Sequence, residues 1–202
     1  SSDLELVLAR EDALRGAAEH PLAHAAALRA VAHVVAAESA HALQDKTLRD
    51  QHLQQAEQDA AQAQTADRQA LIEGLTLRAS RWLLDDRDAE GSLARLAQLP
   101  GAVSRRTVAM RIQLKAARLA GQTARALDTA LLLAKHGAFG PSAAQSLVRS
   151  LVMDLIARTH DQRALEKLWQ GLPPAQRALP EVVALAVARW LQLGGDPVRA
   201  RT

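Results

Sequence analysis

The chain has 202 residues, 49% of them hydrophobic and 23% charged, which is enough apolar material for one large domain or two small ones and excludes a disordered polar tract. It has no cysteine, which excludes a disulfide framework, a thiolate nucleophile and Cys-ligated zinc, iron–sulfur or haem centres. One Phe, three Trp and no Tyr, against abundant Ala and Leu, point to an all-α protein; the formal charge of +3 hides a split, with 10 Lys/Arg against 16 Asp/Glu in residues 1–100 and 15 against 6 in residues 101–202.

In chain order, apolar periodicity and Pro/Gly punctuation predict helices at about 4–19, 22–43, 46–63, 66–85, 88–98, 104–120, 123–136, 141–158, 161–170, 180–193 and from 196 onward. Pro21 stands at a helix start. The segment "TLRDQHLQQAEQDAAQAQ" is a polar helix with a thin stripe of Leu48, His52, Ala56, Ala60 and Ala63. In "LDDRDAE", Asp85, Asp86 and Asp88 read as caps of a helix–helix turn rather than as carboxylates paired for acid–base chemistry. Pro100-Gly101 closes a helix, "GAFGP" separates two more, and Pro173, Pro174 and Pro180 break the chain before the last. Trp82, Trp169 and Trp190 fall on apolar stripes and are expected in the core or at its rim.

A comb runs through this series. Small residues that follow polar breaks, Ser92, Ala126, Ala164 and Ala200, are spaced 34, 38 and 36 residues apart. After the first three, leucine or another small residue recurs one, four and seven positions on, as Leu93/Leu96/Leu99, Leu127/Ala130/Leu133 and Leu165/Leu168/Gly171. Nine positions before the small residue stand Leu83, Ala117, Leu155 and Leu191. Such a period is one helix pair, which cannot bury its apolar face alone but makes a continuous core when stacked; the small residue lets the two helices approach closely.

A helix pair of about 34 residues with a small residue early in the second helix and a Gly/Asp turn before it resembles a tetratricopeptide-repeat (TPR) protein. More narrowly, "REDALRGAAEHPLAHAAAL" followed by "AGQTARALDTALLLAKHGAFGPSAAQSLV" resembles the soluble repeat region of HemY-type proteins of proteobacteria, which are inner-membrane proteins associated with haem biosynthesis. The resemblance implies an α-α superhelix of 10–11 helices wound as a right-handed solenoid, with degenerate repeats over 1–65 and TPR-like repeats over 66–202 in one continuous domain. It implies a soluble fragment of a protein anchored at the bacterial inner membrane through a segment absent from this sequence, with the repeats on the cytoplasmic face. The family's pattern places inward-facing residues 15, 11 and 8 positions before each small one, which selects Leu77, Arg81 and Leu84; Arg111, Lys115 and Arg118; Arg149, Met153 and Ile156; and Leu185, Arg189 and Gln192.

The expected groove is therefore basic with apolar patches: Arg81, Arg111, Lys115, Arg118, Arg149, Met153 and Arg189. It suits a protein or peptide partner with an acidic, partly apolar surface, since Arg grips carboxylates with two parallel hydrogen bonds. No phosphate loop, nucleophile elbow, HExxH or calcium loop occurs, so no catalytic residue, metal ligand or cofactor is expected. His33 and His41 lie about 80° apart on the helical wheel and make a poor ligand pair. Nucleic-acid binding lacks aromatic interleaving and a dense basic run. The reading is a non-enzymatic interaction scaffold; the alternatives are a haem or porphyrin carrier using the groove, and a homo-oligomer in which acidic and basic halves meet.

Overall fold

The computed structural model describes residues 21–195. Every regular element among them is an α-helix: α1 (Pro21–Ala42), α2 (Lys46–Gln62), α3 (Thr65–Asp85), α4 (Ala89–Leu96), α5 (Gly101–Ser104), α6 (Thr107–Leu119), α7 (Thr123–Lys135), α8 (Pro141–Arg158), α9 (Gln162–Gly171), α10 (Pro174–Arg177) and α11 (Pro180–Gln192). The all-α expectation holds for these residues. The helices expected at 4–19 and from 196 onward, and the comb position Ala200, lie outside them.

Two short helices were not anticipated. α5 and α10 occupy four residues each, with Pro100 and Pro173 as their N-caps and Pro174 in the first turn of α10. The prolines read as stops are also starts, because a ring that fixes φ and lacks an N–H fits the first turn, where that N–H has no partner. Pro141 and Pro180 open α8 and α11 in the same way. Asp45, Asp88 and Asp161 cap α2, α4 and α9 through carboxylates that accept from the N–H groups of Leu48, Gly91 and Ala164. Gly91 is required beside its cap, since a Cβ there would run into the Asp88 carboxylate.

One turn recurs. Gln44, Arg87 and Gly121 each adopt a positive φ, at 60°, 66° and 70°. In each case the following N–H reaches back to a carbonyl five residues earlier, from Asp45 to Ala40, Asp88 to Leu83 and Gln122 to Ala117, which is the helix-ending Schellman arrangement. The residue after it then caps the next helix, so α1–α2, α3–α4 and α6–α7 are joined by the same tight corner.

The chain divides into two compact units, residues 21–109 and 110–195 among those described, with the boundary inside α6. In the first unit α1 packs along α2, α2 and α1 along α3, and α3 along α4. The α1–α2 seam is built from alanines that are almost wholly buried: Ala26, Ala30 and Ala37 on α1, Ala56 and Ala60 on α2. They stand four and seven residues apart on α1 and four apart on α2, on one face of each helix, and small side chains let the two backbones come close. The stripe of α2 differs from the one expected. Its buried line is Arg49, Leu53, Ala56, Ala60 and Ala63, and Leu48 is 40% exposed. The helix is turned by one residue, so that Arg49 lies inside and meets the Asp86 carboxylate at the end of α3.

In the second unit α7 packs on α8, α8 on α11, and α9 and α10 on α11. Their core includes Leu114, Ala126, Leu133, Val152, Ile156, Leu165 and Val182. Ser92 and Ala126, the small comb positions, are each 0% exposed in their own units. Ala164 is not buried; it is exposed, and Leu165 beside it enters the core, followed by Leu172 rather than Gly171. The reason lies in the α8–α9 connection, where Thr159 is extended and Asp161 caps α9, so that the tight corner of the other pairs is replaced and the facing residue shifts by one. Trp82 is core, and Trp169 and Trp190 are partly buried against the second core.

Ala126→Leu is accordingly expected to overpack its contact by about 1–3 kcal/mol, lowering Tm by roughly 2–4 °C per kcal/mol for a chain of this size, whereas Ala164→Leu leaves Tm unchanged in the same melt. Arg87→Gly removes a side chain from a left-handed position and should raise stability by about 1 kcal/mol, read by urea denaturation.

Candidate functional site

The residues expected to line a groove can be placed one by one. Arg81 is exposed on α3 in the first unit; the other six belong to the second. Arg111, Lys115 and Arg118 are all exposed on α6, and their spacing of four and three residues sets them in one row along the helix. Their opposite face, with Leu114 and Ala117, is core. Arg111 donates to the Ala138 carbonyl at 2.8 Å. Lys115 and Arg118, like Arg81, have no ionic or hydrogen-bond partner among the described residues.

On α8, Arg149 is exposed and bridges to Glu181 at 3.1 Å, tying α8 to α11. Met153, one turn on, is half-buried against the core. Ile156 is fully buried and lines no surface; it comes too far round the helix and is claimed by the core. Arg189 on α11 is spent internally, donating to the Thr159 carbonyl at 2.8 Å and to Gln192 at 3.1 Å. Asp154 is held below the usual carboxylate range by the Arg158 guanidinium, against the effect of burial, with a further hydrogen bond from Thr123. The Thr123 hydroxyl donates to it at 2.8 Å and so joins the start of α7 to α8.

A second polar assembly, in the first unit, was not legible beforehand. Arg49 opens the second turn of α2 with its side chain 4% exposed. Nη1 lies 2.9 Å from Asp86 and Nη2 2.8 Å from Asp50, while Nε donates to Asp50 at 2.8 Å. Lys46 reaches the other Asp86 oxygen at 2.9 Å. His41 pairs with Asp85 at 3.2 Å, its ring stacked at a tilt 5.6 Å from Trp82. The Asp85 side chain therefore meets His41 of α1 and the Asp86 side chain pairs with Lys46 and Arg49 of α2, and of the three only Asp88 caps a helix through its side chain.

The electrostatics follow from this wiring. Burial works to lower the Arg49 pKa, but hydrogen bonds and charge from Asp50 and Asp86 outweigh it and hold the guanidinium more firmly protonated than usual. Burial likewise works to raise Asp86, and Lys46 and Arg49 overturn it, so its carboxyl lies below the usual range. These side chains border a cleft of about 480 Å³ lined by His41, Gln44, Lys46, Arg49, Asp85 and Asp86. Every cation there already meets a carboxylate, so the cleft offers an anion no open charge; it ties α1, α2 and α3 together. No local signal marks it, since Arg49 lies off the stripe of Leu48, His52 and Ala56 that the sequence suggests.

Among the described residues, no group of three or more His, Cys, Asp or Glu side chains is arranged to hold a metal ion. His24 meets Gln64 at 3.1 Å, and His33 meets His52 at 2.9 Å. His20 lies outside the described residues.

Arg49→Met should cost roughly 2–4 kcal/mol in denaturant unfolding, because Asp86 keeps Lys46 but loses its buried partner. Since the folded Asp86 pKa is depressed, its contribution is present above the ordinary value of 3.8 and is lost as pH falls through the lower folded value. Asp86→Asn is therefore expected to flatten the stability profile below about pH 4, measured by urea titrations at stepped pH. Compared with models of known families, with curated proteins and with solved structures, the chain finds no match.

Proposed function

We infer that the chain is a non-enzymatic helical-repeat scaffold of TPR type, in which the basic face of the second unit holds an acidic, partly apolar segment of a partner protein. The observation that carries this reading is the row Arg111, Lys115 and Arg118 on α6. Lys115 and Arg118 stand exposed without partners among the described residues, while the buried cation Arg49 of the first unit is fully met by carboxylates. Residues 110–195 hold eleven Lys/Arg against five Asp/Glu. An uncompensated row of long cations beside an exposed Leu119 favours a carboxylate-bearing partner with an apolar flank, since the stems offer apolar cover and the heads offer charge.

The repeat part of the proposal is supported by the shared corner of α1–α2, α3–α4 and α6–α7 and by α8 lying along α11, as first helices of successive pairs do in stacked repeats. In this reading the pairs wind as a right-handed solenoid, and the chain is the soluble part of a HemY-like protein held at the bacterial inner membrane with its repeats on the cytoplasmic side. Among the described residues no helix is long and apolar enough to cross a membrane.

The test is affinity capture from bacterial membranes with wild-type chain and with a variant carrying Arg111→Glu, Lys115→Glu and Arg149→Glu. Acidic proteins retained by the wild type, released by salt and lost by the variant are expected; undiminished capture by the variant removes this face from the mechanism. A haemin titration run alongside is expected to show no Soret shift, and a shift abolished by replacing a single histidine would replace the scaffold reading with the carrier.

A further inference from the structure

We propose that His33 and His52 form a two-ligand site for a divalent transition-metal ion of the Cu²⁺ or Ni²⁺ kind, clipping α1 to α2. The imidazoles face each other across the seam with Nδ1 of one 2.9 Å from Nδ1 of the other. Their ring centroids are 5.2 Å apart and the planes are inclined by 34°. Metal–imidazole bonds are about 2.0–2.1 Å, so two cis ligands at a right angle on a square-planar or octahedral ion stand roughly 2.8–3.0 Å apart, while a tetrahedral ion sets them at about 3.3–3.4 Å. The separation across the seam, set in the metal-free chain by an imidazole–imidazole hydrogen bond, is within reach of the right-angled ion and shorter than the tetrahedral spacing.

The surroundings prepare the pair for this role. In the metal-free chain one imidazole donates its Nδ1 proton to the other; an ion about 2.0–2.1 Å from both nitrogens sits to one side of the line joining them, each ring tilting toward it, and the displaced proton passes to Nε2 of the same ring. On the far side of His33, Nε2 lies 3.9 Å from the Asp59 carboxylate. Asp59 is nine-tenths buried and is fixed by Arg29 Nε at 2.9 Å. A carboxylate on that side attracts a proton on Nε2 of His33, and a small shift of the ring would let Nε2–H donate to it as histidine ligands do to outer-shell carboxylates. The alanines beside them, Ala30, Ala37, Ala56 and Ala60, hold the two helices together at close range. His33 remains 31% exposed, so water can fill the remaining coordination positions and the ion can exchange. The site is open and bidentate rather than a closed structural cage, which agrees with the absence of a third ligand among the described residues.

Titration of the full chain with Cu²⁺, followed by calorimetry and electron paramagnetic resonance, tests the proposal. One ion with the hyperfine signature of two imidazole nitrogens is expected, and Tm should rise with Cu²⁺ concentration. His33→Ala and His52→Ala should each weaken binding at least about tenfold, and Asp59→Asn about tenfold through the outer shell, while His136→Ala on the end of α7 changes nothing. A wild-type spectrum without two-nitrogen coupling overturns the proposal without recourse to any variant. Equal affinity in both histidine variants, with their helical circular dichroism intact, overturns it as well.

Discussion

Close approach of helix backbones through small side chains is the constraint on which this structure depends. With three Trp and one Phe in 202 residues, aromatic bulk is scarce; the second core is filled by Leu, Ile and Val, and in the first unit the helices are brought together until alanine suffices. The α1–α2 seam does this with Ala26, Ala30, Ala37, Ala56 and Ala60, and Ser92 and Ala126 do it once each on α4 and α7. Dispersion between closely packed backbones replaces the large apolar areas that Leu or Phe would bury. Rigid spacing is the consequence, and it is what allows polar pairs such as His33–His52 and Arg29–Asp59 to be held at defined distances on the flanks of the seam.

The corners enforce the same constraint. A Schellman ending followed at once by a cap reverses the chain in two residues, so the second helix must lie against the first. At Arg87-Asp88 and Gly121-Gln122 a small residue, Ser92 or Ala126, is buried four or five positions on, while at Gln44-Asp45 that place is taken by Arg49; where the corner is relaxed, between Arg158 and Gln162, Ala164 faces water and Leu165 is buried. Backbone geometry at the turn, rather than the small residue itself, sets which side chain meets the neighbouring helix.

Charge is handled differently in the two units. In the first, Arg49, Lys46, Asp50 and Asp86 neutralise one another and bind three helices, and Arg78–Glu38 and Arg95–Glu57 add further ties. In the second, Lys115 and Arg118 stay solvated and unmatched among the described residues, while Arg149 and Arg189 are partly spent within the unit. The row on α6 could be found from spacing because its members are exposed and i, i+4, i+7 on a helix share a face whatever the partner. Arg49 could not, because its significance comes from carboxylates on α2 and at the end of α3, and no local pattern records that Asp86 will arrive beside it.

By itself, the sequence determined the helical class, nearly every helix, the cap at Asp88 and the helix start at Pro141, since these rest on interactions within four residues: periodicity, φ restriction and side-chain bonds to the nearest N–H groups. It also determined that Ser92 and Ala126 would be contact points, because a repeated spacing is local information copied along the chain. Only the tertiary structure decided that α2 turns Arg49 inward and Leu48 outward, that Ile156 belongs to the core and Ala164 to the surface, and that two histidines 19 residues apart meet at 2.9 Å. Each of those outcomes depends on the rotation of one helix against another, and a shift of one residue, about 100° on the wheel, exchanges buried for exposed.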